Sequence, residues 1–311
     1  MKMLALDQNI WSQLAQAALN PDENPTDFAI LQGLATVVQS GDLIIPLTQS
    51  NIFETSKMSD LASLQQRSWL QATLSKGQCI NSYRFAMHEE IRDALASHFR
   101  ISTPPRDQRW FLTNNVVDAM GGGHLLQHLP DLQLRMHMAP QEALHSFMTS
   151  NSPSEFPEFW QEIARQDAAL LSKLESQRSR LAQESLSMRR RALSASLFLD
   201  FQGEMWRAAD ALGISTVQIH SQPSIIKKMV KDVPRLHIER ELRLVLEREN
   251  RTLTSNDLWD MQFCLSTFSN MDIICMEKGF GNRAKQARLD EFYDTKILTD
   301  LRQLGQHLGF I

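Results

Sequence analysis

The sequence predicts an α/β fold, a central parallel sheet flanked by helices and interrupted by a mostly helical insertion. Three observations carry that expectation. Residues 3–6, 43–47 and 272–276 (MLAL, LIIPL and DIICM) are short, mostly apolar runs, too short for helices and of the right length for buried strands. Stretches with helical apolar spacing separate the first two runs, which is the crossover pattern of a parallel sheet. The composition, 42% hydrophobic and 22% charged with only 12 glycines in 311 residues, fits a folded, helix-rich chain and excludes collagen, low-complexity disorder and a disulfide scaffold. At about 150 residues per domain, this length makes one large domain or two ordinary ones.

Each element follows in turn. Met3 to Leu6 stops at Asp7 and reads as the first strand. Residues 9–19 then place Ile10, Leu14, Ala17 and Ala18 at helical spacing, and Asn20-Pro21 ends that helix. A second helix over 27–39 has Phe28, Leu31, Leu34, Ala35 and Val38 on one face and closes at Ser40-Gly41. Residues 43–47 form the second strand. Thr48 or Ser50 caps the next helix, which carries Glu54 in its first turns. Gln78 to Asn81 is a further short strand and 85–97 a helix.

From about 100 to 233 the texture changes. Pro104-Pro105, the glycines at 121–123 and NSPSEFP at 151–157 punctuate stretches that otherwise look helical. We read 101–234 as an insertion between two parts of one sheet domain, 1–100 and 235–311. Inside it, Ile163, Leu170, Leu174, Leu181 and Met188 recur at sevens and fours, which predicts one long helix over 158–199. Beyond it, 237–249 and 256–268 are helical, Asp272 to Met276 is the strand that joins the first two in parallel, and 283–293 and 299–308 are helices.

The formal charge is −4, from 32 Lys+Arg against 36 Asp+Glu, so no whole-protein field marks a nucleic-acid binder. The distribution is uneven. Residues 1–62 hold only Lys2 and Lys57 against seven acids, whereas 225–251 are rich in Lys and Arg. No apolar stretch approaches the 18 or more residues of a membrane helix, and Asp7 interrupts any signal-peptide core, so a soluble cytoplasmic protein without membrane contact is expected. Cys79, Cys264 and Cys275 are odd in number and lie far apart in apolar contexts; buried thiols are expected of them, not bridges or a zinc site.

Ligands of an open parallel sheet bind outside the carboxyl ends of its strands. Four acids fit that place: Asp7 and Glu277 directly after strands, Glu54 early in the helix after the second strand, and Asp260 near the start of the 256–268 helix. Clustered carboxylates raise one another's pKa and call for a counter-charge, and hard divalent cations suit oxygen ligands. Mg²⁺ or Mn²⁺ is the expected cofactor.

These residues resemble the PIN-like (PilT N-terminus-like) nuclease domains. LDQNIW at 6–11 is similar to the family's first motif, an Asp at a strand end with an Asn two residues later. PLTQSNIFE at 46–54 resembles its Ser/Thr-then-Glu segment. NDLWD and MDIICMEK, within 256–278, resemble its helix-then-strand pair, an Asp on the helix and an acid after the strand. The chain departs from the pattern in having Glu277 where Asp is more frequent and Met276 where Thr usually precedes it. Asp257, one turn before Asp260, competes for the helix position. The resemblance covers roughly 1–100 and 235–311 and says nothing of the insertion.

The resemblance implies a three-layer PIN-like fold and metal-dependent hydrolysis of phosphodiesters, usually RNA, by carboxylates that hold one or two metal ions. Asp7 is then the central ligand, Glu54 and Asp260 (or Asp257) its companions, and Glu277 an outer one. Asn9 positions Asp7 or contacts the phosphate, and Thr48, the hydroxyl of the second motif, goes with the substrate. Lys278, Arg283 and Lys285, just after the last strand, are the cations expected to hold the nucleic-acid backbone. A toxin or defence role, an inhibitor or activator protein and a homo-oligomer are further expectations. Two alternatives stand beside this reading: a catalytically inactive PIN-like scaffold, to which Glu277 points, and a structure-specific DNA nuclease of the flap type, which the missing helix-hairpin-helix Gly pattern disfavours.

Other features have plainer readings. Asp272 starts its strand at the end away from the crevice, as a loop residue does. His124 and His128 lack a third ligand nearby. The glycines at 121–123 lack the strand before and the GK[ST] after that phosphate cradles use. Arg189–Arg191 suits a solvated helix face as well as an RNA grip. The six tryptophans are scattered, most are expected in the core, and no stacking platform emerges. No Ser or Cys nucleophile motif such as G-x-S-x-G is present.

Overall fold

A computed structural model describes residues 1–122, 134, 136–151, 153, 156–222, 224–249 and 251–311 of the chain. The chain opens with β1 (Lys2–Leu6), α1 (Gln8–Leu19), α2 (Pro25–Ser40) and β2 (Leu43–Ile44). α3 (Gln49–Ser56), α4 (Leu61–Leu74), β3 (Cys79–Ile80), α5 (Tyr83–Phe99), β4 (Leu112–Thr113) and α6 (Val116–Ala119) follow. Next among the described residues come α7 (Pro140–Ser150), α8 (Pro157–Leu181), α9 (Leu186–Ala211), α10 (Thr216–His220), α11 (Ser224–Asp232), α12 (Pro234–Leu246) and α13 (Ser255–Thr267). The chain then closes with β5 (Ile273–Cys275), α14 (Lys278–Gln286), α15 (Leu289–Tyr293), β6 (Lys296–Leu298) and α16 (Leu301–Leu308).

The protein is mostly helical, with a small four-stranded parallel sheet in the order β2-β1-β5-β6. An α/β class therefore holds. β1 sits between β2, reached early, and β5, reached only after the long helical stretch, so the strand order changes direction at β1. In such sheets that point opens a crevice outside the carboxyl ends. Successive strand residues face opposite ways. Leu4, Leu6, Ile273 and Cys275 enter one core with α1, α2, α4 and α16, while Ala5, Ile274, Met276 and Ile297 enter another with α12, α13 and α14. Helices thus cover both faces, which is why the strands read as continuous apolar runs.

Several elements differ from expectation for physical reasons. The run 43–47 pairs with β1 only at Leu43 and Ile44; Pro46 has no N–H to donate, and Leu47 turns instead to Cys79 in a single parallel bridge. β3 and β4 form a separate antiparallel pair. The single long helix over 158–199 is two helices, α8 and α9. Ser185 caps α9 by accepting the Met188 N–H, and the Arg189 guanidinium donates to the carbonyls of Ala182 (2.6 Å) and Glu184 (3.0 Å). Arg189 therefore holds a turn, and Arg190 pairs with Glu241 at 2.9 Å. α4 and β6 were not expected; β6 has only three residues, one of them exposed, which leaves little periodicity to read. The 283–293 stretch is two helices, broken at Arg288, whose φ is +58°.

Residues 101–234 share cores with both flanks. Val116, Leu144 and Met148 join the core of β1 and α4, whereas α9 and α11 pack Leu197, Met205 and Met229 against Met87 and Ile91 of α5. One close approach seats α7. Gly77 has φ +74°, and a Cβ there would lie 2.5 Å from the Pro140 carbonyl carbon. Gly77→Ala is expected to lower stability by about 2 kcal/mol, read as the shift of a urea-unfolding midpoint, because both the backbone strain and the clash oppose it. Among the described residues no helix is long and apolar enough to cross a membrane.

Candidate functional site

Asp7 leaves β1 at the crevice and begins α1. Its N–H donates to the Cys275 carbonyl (2.9 Å), tying it to the end of β5. Its Oδ1 accepts the Gln8 N–H at 2.7 Å and its Oδ2 accepts the Glu277 N–H at 3.2 Å. The carboxylate is 6% exposed and held by backbone dipoles, with no cation bonded to it among the described residues. Glu277, exposed at the start of α14, accepts from Asn9 Nδ2 at 3.1 Å. Asn9 thus holds Glu277 in place, and no hydrogen bond joins it to Asp7.

The second edge of the crevice comes from α3. Thr48 caps it in a reciprocal box with Asn51, and Asn51 Nδ2 donates to the Leu6 carbonyl at 3.2 Å, which ties α3 to the end of β1. Thr48 is fully buried in this cap and bonded to Ser50 and Asn51, so it shapes the site from below; the substrate-binding place expected for it is not where it stands. Behind Asp7, a buried polar chain runs from Gln8 to Thr55 (2.9 Å) and on to Gln71 (2.8 Å), joining α1, α3 and α4.

Electrostatics place Asp7, Glu54, Asp260 and Glu277 in one shared field. Burial, then the charges of Asp7, Glu54, Glu277 and Asp257, push Asp260 up to about 8. Burial and then Asp7 push Glu54 up to about 7, against the pull of Lys57 and Arg67. Asp7 is raised too, by burial first and by Glu277 last, although the Glu277 and Gln8 N–H groups oppose it. The charges of these four acids thus act on one another.

Their donor set is oxygen only, with Asp7 buried, Glu54 and Asp260 half-buried and Glu277 exposed, and with Lys57 and Arg67 acting on Glu54. That chemistry suits a hard divalent cation. As the side chains stand, no group of three or more His, Cys, Asp or Glu among the described residues is arranged to hold a metal ion. The residues fit the cation in the chemistry of their oxygen donors.

Asp257 has other work. It closes the capping box of α13 with Thr254, and its carboxylate takes two hydrogen bonds from Arg251, at 2.5 and 2.8 Å. Those bonds hold it below the usual carboxylate range against burial. Asp260, not Asp257, faces the other acids with no such partner. Arg283 grips Glu249 (2.5 Å) with Asp257 3.8 Å away, so the cation expected to hold substrate is engaged in an ion-pair network beneath α13. Lys278 and Lys285 are exposed on α14, close in sequence to Glu277. Asp272 accepts the Met3 N–H at 2.6 Å at the opposite sheet edge, as a structural residue does. The three cysteines are buried and unbridged, and burial pushes the Cys79 thiol up to about 12. His124 and His128 lie outside the described residues.

Two cations beside Glu54 were missed. Arg67 of α4 is half-buried and its Nε has no hydrogen-bond partner; Lys57 lies one turn after Glu54. Nothing in the sequence marks Arg67, since its helix was not recognised. Lys57 was visible as one of two cations in an acidic stretch. Comparison of the chain with protein-family models, curated proteins and solved structures returns no match.

Proposed function

We propose that the protein is a metal-dependent endoribonuclease of the PIN-like kind, with Asp7, Glu54 and Asp260 as the core of its site and Glu277 at the rim. One observation supports this reading: carboxylates from four sequence-distant elements act on one another by charge, Asp7, Glu54 and Glu277 on Asp260 and Asp7 on Glu54, and the pull of Lys57 and Arg67 on Glu54 does not cancel the upward shift. A bound Mg²⁺ or Mn²⁺ supplies Lewis-acid activation of water and neutralises charge on the scissile phosphate. The chain's own residues do the rest. Asp7, fixed by two backbone N–H groups, is the oriented carboxylate, and Asn9 keeps Glu277 beside it. Asp260 and Glu54, pushed up to about 8 and about 7 by burial and neighbouring carboxylates, favour their protonated forms near neutral pH, and with Asp7 they are the residues that would hold the cation. Arg67, Lys57, Lys278 and Lys285 offset the repulsion between acids and RNA phosphates.

The test is incubation of purified protein with end-labelled single-stranded and structured RNA and with DNA, in Mn²⁺ or in chelator, beside Asp7→Asn. Metal-dependent RNA cleavage that Asp7→Asn abolishes is the expected result. A binding module without catalysis is the second reading, drawn from Glu277 standing where the resembled pattern has Asp. RNA binding with no cleavage in any metal selects that reading, and preference for branched or flapped DNA selects a structure-specific DNA nuclease.

A further inference from the structure

Four aromatic rings meet next to the carboxylates. Phe53 precedes Glu54 on α3, Trp259 precedes Asp260 on α13, and Phe159 and Trp160 come from α8. Phe53 is the centre of the group, its ring centroid 5.9 Å from Phe159, 5.7 Å from Trp160 and 5.6 Å from Trp259. Most tryptophans were expected in the core and no stacking platform was expected; three distant segments bring these rings into tilted and edge-on contact. Here Phe159 stays 45% exposed, and a cavity of about 330 Å³, open on one side, lies between α8, α3 and α13. Leu170 adds an apolar wall, and Glu162, Gln166 and Asp167 add polar groups, Gln166 Nε2 donating to Glu162 at 2.7 Å and the Trp259 side chain bonding to Asp167. This size and mix match a small-ligand pocket of about 300–1,000 Å³. Lys57 interacts electrostatically with both Glu54 and Asp167, so one cation spans the crevice and the pocket.

We propose that this pocket receives a nucleobase of the RNA strand whose backbone runs along the Asp7–Glu54–Asp260 crevice. The inference rests on the ribonuclease reading for the path of the strand. Flat aromatic walls stack any base, the half-exposed Phe159 face offers the surface, and the adjoining cation suits the phosphate that joins base to crevice. The helical stretch 101–234, silent in the motifs, then takes part in substrate recognition through α8.

Binding of a fluorescein-labelled single-stranded RNA octamer is measured by anisotropy in the Asp7→Asn background with Mn²⁺, beside an abasic ribose-phosphate octamer of equal charge. Adding Phe159→Ala is expected to weaken the RNA octamer by about 10-fold or more, and to leave the weaker abasic octamer unchanged. Leu170→Asp, at a second exposed wall of the pocket, is expected to act in the same direction, and melting curves of both variants show whether the fold is kept. Equal binding with and without Phe159, equal binding of the two octamers, or no RNA binding at all overturns the pocket. The two readings fail separately. RNA binding that depends on Phe159, with no cleavage by the unmutated protein, keeps the pocket and removes the nuclease; cleavage as fast in Phe159→Ala as without it keeps the nuclease and removes the pocket.

Discussion

Asp260→Asn is expected to make the metal-free protein more stable at pH 8 while it abolishes metal-dependent cleavage. In the fold, Asp260 is raised from 3.8 to about 8 and Glu54 from 4.5 to about 7, burial being the first cause for each and neighbouring carboxylates the next. Between the unfolded and folded values the native state binds more protons than the unfolded chain, so stability falls as pH rises from about 4 to about 8. The contribution is whole below pH 4 and lost once both groups ionise. A neutral amide at position 260 removes the largest part of that loss. Allowing for solvent screening, about 2 kcal/mol is recovered at pH 8, or roughly 4 °C in melting temperature.

Divalent metal acts on the same repulsion from the other side. If the site binds Mn²⁺ as proposed, the ion at a hundred times its dissociation constant is expected to stabilise the unmutated protein by about 2.7 kcal/mol, and Asp260→Asn is expected to lose most of that gain. Thermal melts in chelator and in Mn²⁺, at pH 5 and pH 8, measure all four quantities. A metal-free Asp260→Asn protein less stable than its parent at pH 8 would show that the carboxylates are already compensated, and the metal-site reading would go with that result.

Arg235→Met is expected to cost about 3–5 kcal/mol, far more than its distance from the crevice suggests. Arg235 begins α12 with no exposed surface, and its guanidinium and N–H both bond to Glu90 of α5. Glu90 is buried as well, and burial raises its pKa although Arg235 opposes the shift. Glu239 and Arg243 form a second buried pair one turn further along α12, with the Tyr83 hydroxyl donating to Glu239 at 3.4 Å. Removal of Arg235 leaves an unpaired carboxylate in this interior. The double variant Glu90→Leu/Arg235→Met removes both charges and is expected to recover much of the loss, since well-packed apolar residues often replace a buried pair without penalty. Urea unfolding of the two singles and the double gives the coupling. Strict additivity would mean that the two side chains do not act as a pair.

How much of this was legible in the sequence depended on the range of the interaction. β1, α1, α2 and α13 were read nearly to their ends because local signals write them: an apolar run stopped by Asp7, helical spacing ended by Asn20-Pro21 and a helical face closed by Ser40-Gly41. Asp7, Glu54, Asp260 and Glu277 were expected as a group because an open parallel sheet brings strand ends and the helices that follow them together, although Glu54 stands near the end of its short helix and not in an early turn. By itself, the sequence determined that β1, β2 and β5 belong to one parallel sheet; that β1 stands between β2 and β5 was decided by the fold.

Contacts between distant segments decided the remainder. Whether Asp257 or Asp260 serves the crevice turned on Arg251, which claims Asp257 through space and leaves Asp260 unpaired. Thr48 and Arg283 looked free until Asn51 and Glu249 were seen to hold them. The break between α8 and α9 depended on Arg189 reaching back to carbonyls that periodicity ignores. The aromatic pocket required α3, α8 and α13 to meet. Hydrophobic spacing records which face of an element is buried, but hydrogen bonds, ion pairs and ring contacts depend on the partner, and the partner is known only once the chain has folded.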